Sequence, residues 1–192
     1  MANEKTERLL ESAAALLSAA DGKQLNTTNL NKAVFYLDLY ALRDFGSPVS
    51  HSAFVALKEG PVVAKYEKRL IKPLTESGIA VQEQHGMALP VRLVRELGTW
   101  RYLSAAELSL ARDIGKRFSR MTAAQASRIS HQNPGWLIAY NDGLGAKKRP
   151  LPIDLSIAMQ QIVADDPWLN SELTDTEKAA VAAADGCEGE LW

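Results

Sequence analysis

The chain has 192 residues, 46% of them hydrophobic, and a formal net charge of −1. That length suits one packed domain, or one domain with an appendage, and no apolar run approaches the roughly 20 residues that a bilayer-spanning helix needs. Met1 to Glu11 is charged and has no apolar signal core, and the lone Cys187 can form neither an internal disulfide nor a thiolate metal cluster, so the cytoplasm is the expected compartment.

Apolar residues recur at Leu9, Ala13, Leu16, Leu17 and Ala20, which predicts a helix over Glu4 to Ala20 stopped by Asp21-Gly22. The next helix is unusually apolar. Leu30, Ala33, Val34, Leu37, Tyr40 and Ala41 make one face, and Phe35, Leu39 and Leu42 cover a second. Such a helix is normally central, touched on several sides. Asn26 or Thr27 can cap its start, and Gly46 with Pro48 ends it. Ser50 to Leu57 reads as a turn or a helical stub. Gly60-Pro61 then reads as a new helix start, with Pro61 at the first helical position, where a missing N–H costs nothing. Val63, Tyr66, Leu70 and Leu74 form its inner face, Lys65, Lys68, Arg69 and Lys72 its outer one, and Pro73 bends or ends it.

After Gly78 the period changes. Ile79 and Val81, then Leu89, Val91 and Leu93, alternate with polar residues around His85-Gly86, predicting a small antiparallel hairpin with Pro90 on an edge strand. Ser104 and Glu107 form a capping box ahead of a helix with Leu108, Ala111, Ile114 and Phe118 inward. Thr122 and Gln125 form a second box, opening a helix to about Ser130. Asn141 to Pro152 reads as a Gly-, Lys- and Pro-rich loop. Ile153 to Val163 and Thr174 to Ala184 read as helices. The expected fold is mainly α (α+β): a compact multi-helix domain over residues 1–163 with one small antiparallel hairpin, and an acidic helical extension over 164–192.

Charge is unevenly divided. From Asp165 to Trp192 eight acids face one base, Lys178, a net of −7, so the rest of the chain carries about +6. That asymmetry fits an anionic partner, the tail lying on the body, or a merely solubilising tail. Catalytic signatures are missing. His51, His85 and His131 stand in unrelated contexts, and no HExxH, CxxC or EF-loop spacing occurs. There is no G-x-S-x-G elbow and no P-loop. The glycines at Asn141-Asp142-Gly143-Leu144-Gly145 follow no strand. Cys187 lies among acids, which raise a thiol's pKa. No enzyme activity, cofactor or metal is expected.

Several residues carry two readings. Gly60-Pro61 either starts a helix or meets a partner. His131 either caps the preceding helix, where a cation is favoured, or packs beside Trp136 in a surface pocket. Trp136 is a buried anchor, or, if exposed, an interface hot spot. The basic sets Lys65, Lys68, Arg69, Lys72 and Arg112, Lys116, Arg117, Arg120 are either solvated faces or contacts to phosphate or an acidic protein. Neither set has the side-chain mix that reads base edges.

Three stretches together resemble a known family. Leu30-Asn31-Lys32-Ala33-Val34-Phe35-Tyr36 with Asp38-Leu39-Tyr40, then Gly60-Pro61-Val62, then Ser130-His131 with Pro134-Gly135-Trp136, follow the order of the Panacea domain, the SocA-like or GepA-like antitoxin domain. The resemblance spans about Thr6 to Ile162. Lys58-Glu59 departs from it, since an aromatic or small residue often precedes that Gly-Pro. The resemblance implies a type II-like antitoxin that neutralises a co-encoded toxin by direct protein–protein binding. Two alternatives come from other classes: an adaptor that delivers the toxin to an AAA+ protease, which the SocA branch of the family suggests, and a DNA-binding autoregulator using Lys68 and Arg69 or Arg117 and Arg120. A phage or prophage origin is compatible with the family. Lys58, Gly60, Pro61, His131, Pro134, Trp136 and Trp192 are the candidate partner-binding residues. Trp192, beside Leu191, is either an inserted anchor or a frayed terminus. Nucleic acid is a less favoured partner, and no membrane contact is expected.

Overall fold

The computed structural model describes residues 4–83, 89–164 and 166–167. Helices dominate, with two small antiparallel sheets. The chain runs α1 (Glu4–Ala19), β1 (Gln24–Asn26), α2 (Thr27–Phe45), β2 (Phe54–Leu57), β3 (Gly60–Val63) and a π-helical turn (Glu67–Ile71) leading into α3 (Lys72–Glu76). Next come β4 (Ala80–Gln82), β5 (Pro90–Leu93), α4 (Ala105–Ser119), α5 (Ala123–Ser130) and α6 (Pro134–Tyr140). A second π-helical turn (Asn141–Lys147), α7 (Leu155–Ala158) and α8 (Gln160–Ala164) follow. No helix among the described residues is long and apolar enough to cross a membrane.

Helix α2 is the axis of the molecule. Every residue from Asn29 to Ala41 is buried, as its all-round apolar surface requires. Asn26 caps its start by accepting from Asn29 N–H, and Gly46 ends it in the left-handed conformation at φ 75°. Around it an aromatic chain fills the core. Phe35 meets Phe54 edge-on at 5.2 Å and Tyr36 at 5.5 Å, and Tyr36 lies 5.8 Å from Phe118 of α4. Burying one such ring stabilises by about 1.5–3 kcal/mol.

The few polar groups on α2 each tie down a segment. Asp38 is fully buried and accepts from the Ser50 N–H at 2.7 Å and from the Ser50 hydroxyl, holding the chain as it leaves the helix. Asn31 accepts from the Val63 N–H at 3.0 Å. Tyr40 donates to Asp166 at 2.6 Å, with Arg43 over its ring. Outside, Arg8 of α1 donates to the Val49 and Tyr102 carbonyls and to Glu107, and Glu11 accepts from the Arg101 and Tyr102 N–H groups. These bonds hold the approach to α4 against α1.

Both capping boxes form, at Ser104/Glu107 and Thr122/Gln125, and Ala111, Ile114 and Phe118 point inward. The strands differ from expectation. Gly60-Pro61 does not start a helix. It begins β3, which pairs with β2 across a two-residue turn, Lys58-Glu59, so Phe54 to Leu57 is a strand and a second hairpin exists. Pro61 fits because its partner Ala56 turns its own N–H away to the Leu151 carbonyl, so that pair exchanges no ladder bonds. Val63 therefore belongs to the strand and not to a helical face. Pro73 does not end its helix either. The π winding before it accommodates the ring, and α3 runs on to Glu76.

The expected hairpin is present as β4–β5, but β1 joins it. The order is β1-β5-β4, so β5 is central, and Pro90 is tolerated as its first residue. The expected loop after Asn141 begins as a π-helical turn, and Pro152 then forms a bridge to β2 at Val55. His85-Gly86, the Thr174–Ala184 helix and most of the acidic extension lie outside the described residues.

Candidate functional site

The β2–β3 turn is pressed into the seam between α2 and α5. Lys32, wholly buried on α2, donates through Nζ to the Glu59 carbonyl. Ser127 of α5 donates to the same carbonyl at 3.0 Å. Gly60 follows at φ 115°, a conformation that side-chain-bearing residues rarely adopt. A Cβ there would sit 2.6 Å from Ser130 Oγ and 2.9 Å from Lys32 Cε. Conformation and space both demand glycine. Gly60→Ala is expected to lower stability by about 2 kcal/mol, read as a drop in urea midpoint. Adding Ser130→Ala should recover part of it, because the closest clash is relieved while the Lys32 contact and the φ strain remain. An unchanged midpoint in Gly60→Ala would refute this.

Burial drives the Lys32 ammonium down to a pKa of about 8, with the Glu59 carboxylate pushing back. Lys32 is thus still mostly charged at neutral pH, and the turn carbonyl is what hydrates it in place of water.

Helix α5 ends beneath this turn. His131 is its C-cap residue, and its ring stacks on Trp136 at 4.3 Å and 13°. Trp136 stacks in turn on Tyr140 at 4.7 Å. The indole is buried and donates to the Leu57 carbonyl at 3.1 Å, so the hairpin is held from its other strand as well. The His131 pKa is lowered, first by burial and then by the Lys32 charge, with Glu59 and the Lys58 backbone opposing. That shift favours the neutral imidazole over the cation that the cap reading invoked. Its position at the helix end is as expected, and the stack on Trp136 exists too. Its Nε2 is buried and has no hydrogen-bond partner.

Asn133 sets the turn into α6. It accepts from the Trp136 N–H and donates to the Ala158 carbonyl and to Gln161. Gln161 also accepts from Tyr36, which ties α8, α6 and α2 together. Pro134 opens α6, in the helix-start position that suits its ring. Beside the β2–β3 turn lies a cleft of about 380 Å³, with Thr28, Lys32, Lys58, Tyr66 and Leu144 in its wall.

Of the residues singled out in the sequence, Lys58 is exposed at the tip of the turn, while Gly60, Pro61 and Trp136 are buried and His131 is half-buried. The fold brings all five, with Pro134, to one end of α2. Trp192 lies outside the described residues. Lys32 is central to the site, although the sequence marked it only as part of a motif. Glu59 was marked only as part of a departure from the family pattern, and Ser127 and Asn133 were missed. Ser127 stands one helical turn before His131, and Asn133 precedes Pro134 as a helix cap does; both signals are in the chain. No group of three or more His, Cys, Asp or Glu among the described residues could hold a metal.

The stretches that converge here are those of the resemblance noted above. A sequence model of the family described as antitoxin SocA-like, Panacea domain matches residues 30–137, more than half of the chain. The chain belongs to that family. Residues 30 and 137 bracket the Panacea site closely, with Lys32 near one end of the match and Trp136 near the other. No curated protein and no solved structure matches the chain. The family name supports an antitoxin role in general terms.

Proposed function

We propose that this chain binds a co-encoded toxin directly and masks it, without catalysis, through the face centred on the β2–β3 turn. The supporting observation is the convergence at that turn. Lys32, Gly60, His131 and Trp136, spread along the family match, meet there: Lys32 and Trp136 donate to carbonyls of the hairpin, His131 stacks on Trp136, and Gly60 closes the turn. Beneath the tip every element is hydrogen-bonded or stacked; at the tip, Lys58 and Glu59 are exposed. A turn preorganised in this way loses little conformational entropy on binding. The adjoining cleft gives an apolar side chain of the partner a place to bury.

The test is co-expression with the product of the neighbouring reading frame, read as growth and as copurification. Rescue with a stable complex is expected. The charge reversal Lys58→Glu should weaken the complex at least tenfold while leaving the melting temperature unchanged, because that side chain is exposed at the tip and pairs with nothing beneath it among the described residues. Rescue without a complex would sink direct masking. Rescue accompanied by toxin loss that needs an AAA+ protease would put delivery in its place.

A further inference from the structure

A second recess has a lining that shares no residue with the cleft beside the β2–β3 turn. Three segments distant in sequence border a small recess of about 110 Å³: Lys5 and Thr6 from α1, His51 and Ser52 from the loop after α2, and Lys68 and Arg69 from the first π-helical turn. Leu9 and Pro73 complete the wall. Two hydroxyls and four basic side chains surround it, and no carboxylate lines it. The acids of α1 and of the π-helical turn, Glu4, Glu7, Glu11 and Glu67, are absent from the lining, and Lys72 is engaged with Glu76.

Two backbone features accompany the recess. His51 holds a left-handed φ of 50°, and Lys65, just before the π-helical turn, one of 57°. Neither is a glycine, and such conformations cost on the order of 1 kcal/mol each and persist where the surroundings impose them. The π-helical winding of Glu67–Ile71 is also uncommon, and insertions of this kind occur often at functional positions. Here it seats Lys68 and Arg69, adjacent in sequence, on one recess.

We propose that this recess binds a phosphoryl group. Lys68 and Arg69 are the principal cations, Lys5 and His51 complete the ring, and Thr6 and Ser52 donate hydroxyl hydrogen bonds. A space this small takes one tetrahedral oxyanion and leaves any attached sugar or base outside. Arginine and lysine side by side provide the forked donor and the point charge that phosphate oxygens favour.

The experiment is an NMR titration of the full-length ¹⁵N-labelled chain with inorganic phosphate, against acetate at matched ionic strength. Saturable shifts are expected at the Thr6 and Ser52 amides and the Arg69 side chain with phosphate, and at least tenfold weaker ones with acetate. The variant Lys68→Gln/Arg69→Gln, whose altered side chains are exposed, should lose the response while the rest of its spectrum stays in place. Shifts that are linear and equal for the two anions, or an unchanged affinity in the double variant, would overturn the proposal. A second arm identifies the source of the phosphoryl group. Displacement of phosphate by an unphosphorylated duplex oligonucleotide points to a nucleic-acid backbone. Displacement only by a 5′-phosphorylated oligonucleotide or a mononucleotide points to a phosphomonoester. Either displacement upholds the recess.

Discussion

Gly115→Ala is expected to cost the fold at least about 3 kcal/mol, although alanine is the better helix former by roughly 1 kcal/mol. Gly115 is buried in α4 where that helix crosses α1. A Cβ there would lie 2.3 Å from the Leu16 carbonyl oxygen, 3.0 Å from its carbon and 3.1 Å from its Cα. All three are backbone atoms, so no side-chain rotation relieves the clash. The helices have to separate, and Leu16, Leu17, Ile114 and Phe118, all buried, lose contact together. Interiors are close-packed and yield poorly to such a shift. Equilibrium urea unfolding would show a large fall in midpoint, and trimming the Leu16 side chain in addition would not restore it. A midpoint that rises with alanine would mean that the α1–α4 approach is looser than described.

The second large effect is a pH dependence centred on Asp38. Its carboxyl is held up at a pKa of about 7, because burial outweighs the hydrogen bonds from Ser50 and the neighbouring backbone. In the unfolded chain the group titrates near 3.8. Between these values the folded state binds more protons than the unfolded one, so stability falls as pH rises from about 4 to about 7. Three pKa units correspond to about 4 kcal/mol. Asp38→Asn keeps an oxygen for the Ser50 N–H and does not titrate. Its urea midpoint should therefore change far less across that window than the unaltered chain's. The difference between the two profiles isolates Asp38 from His131, whose lowered pKa acts with the opposite sign as pH falls. Parallel profiles would refute the assignment.

The helices were legible because their signals are local. Asn26, Gly46, Ser104/Glu107 and Thr122/Gln125 act within one turn of chain, and the apolar surface of α2 states its own burial. The β2–β3 hairpin was not legible. Its turn, Lys58-Glu59, has none of the usual turn residues, its strands are four residues long, and Gly60-Pro61 imitates a helix start. What makes it a hairpin lies elsewhere in the chain: Lys32 and Ser127 on the Glu59 carbonyl, and Asn31 on the Val63 N–H. The place of β5 was misread for a similar reason, since β1 pairs with it from more than sixty residues away.

By itself the sequence determined the central helix, the caps of the helices around it, the family, and the identity of most residues at the candidate site. Each of these rests on residue type or on spacing within a few turns. The tertiary structure alone decided that Lys32, Gly60, His131 and Trp136 meet at one turn, that burial there lowers the His131 pKa, and that Lys5 and His51 join Lys68 and Arg69 at one recess. Those outcomes depend on which distant segments share a buried or enclosed volume. Packing sets that volume, and no local pattern of residues encodes it.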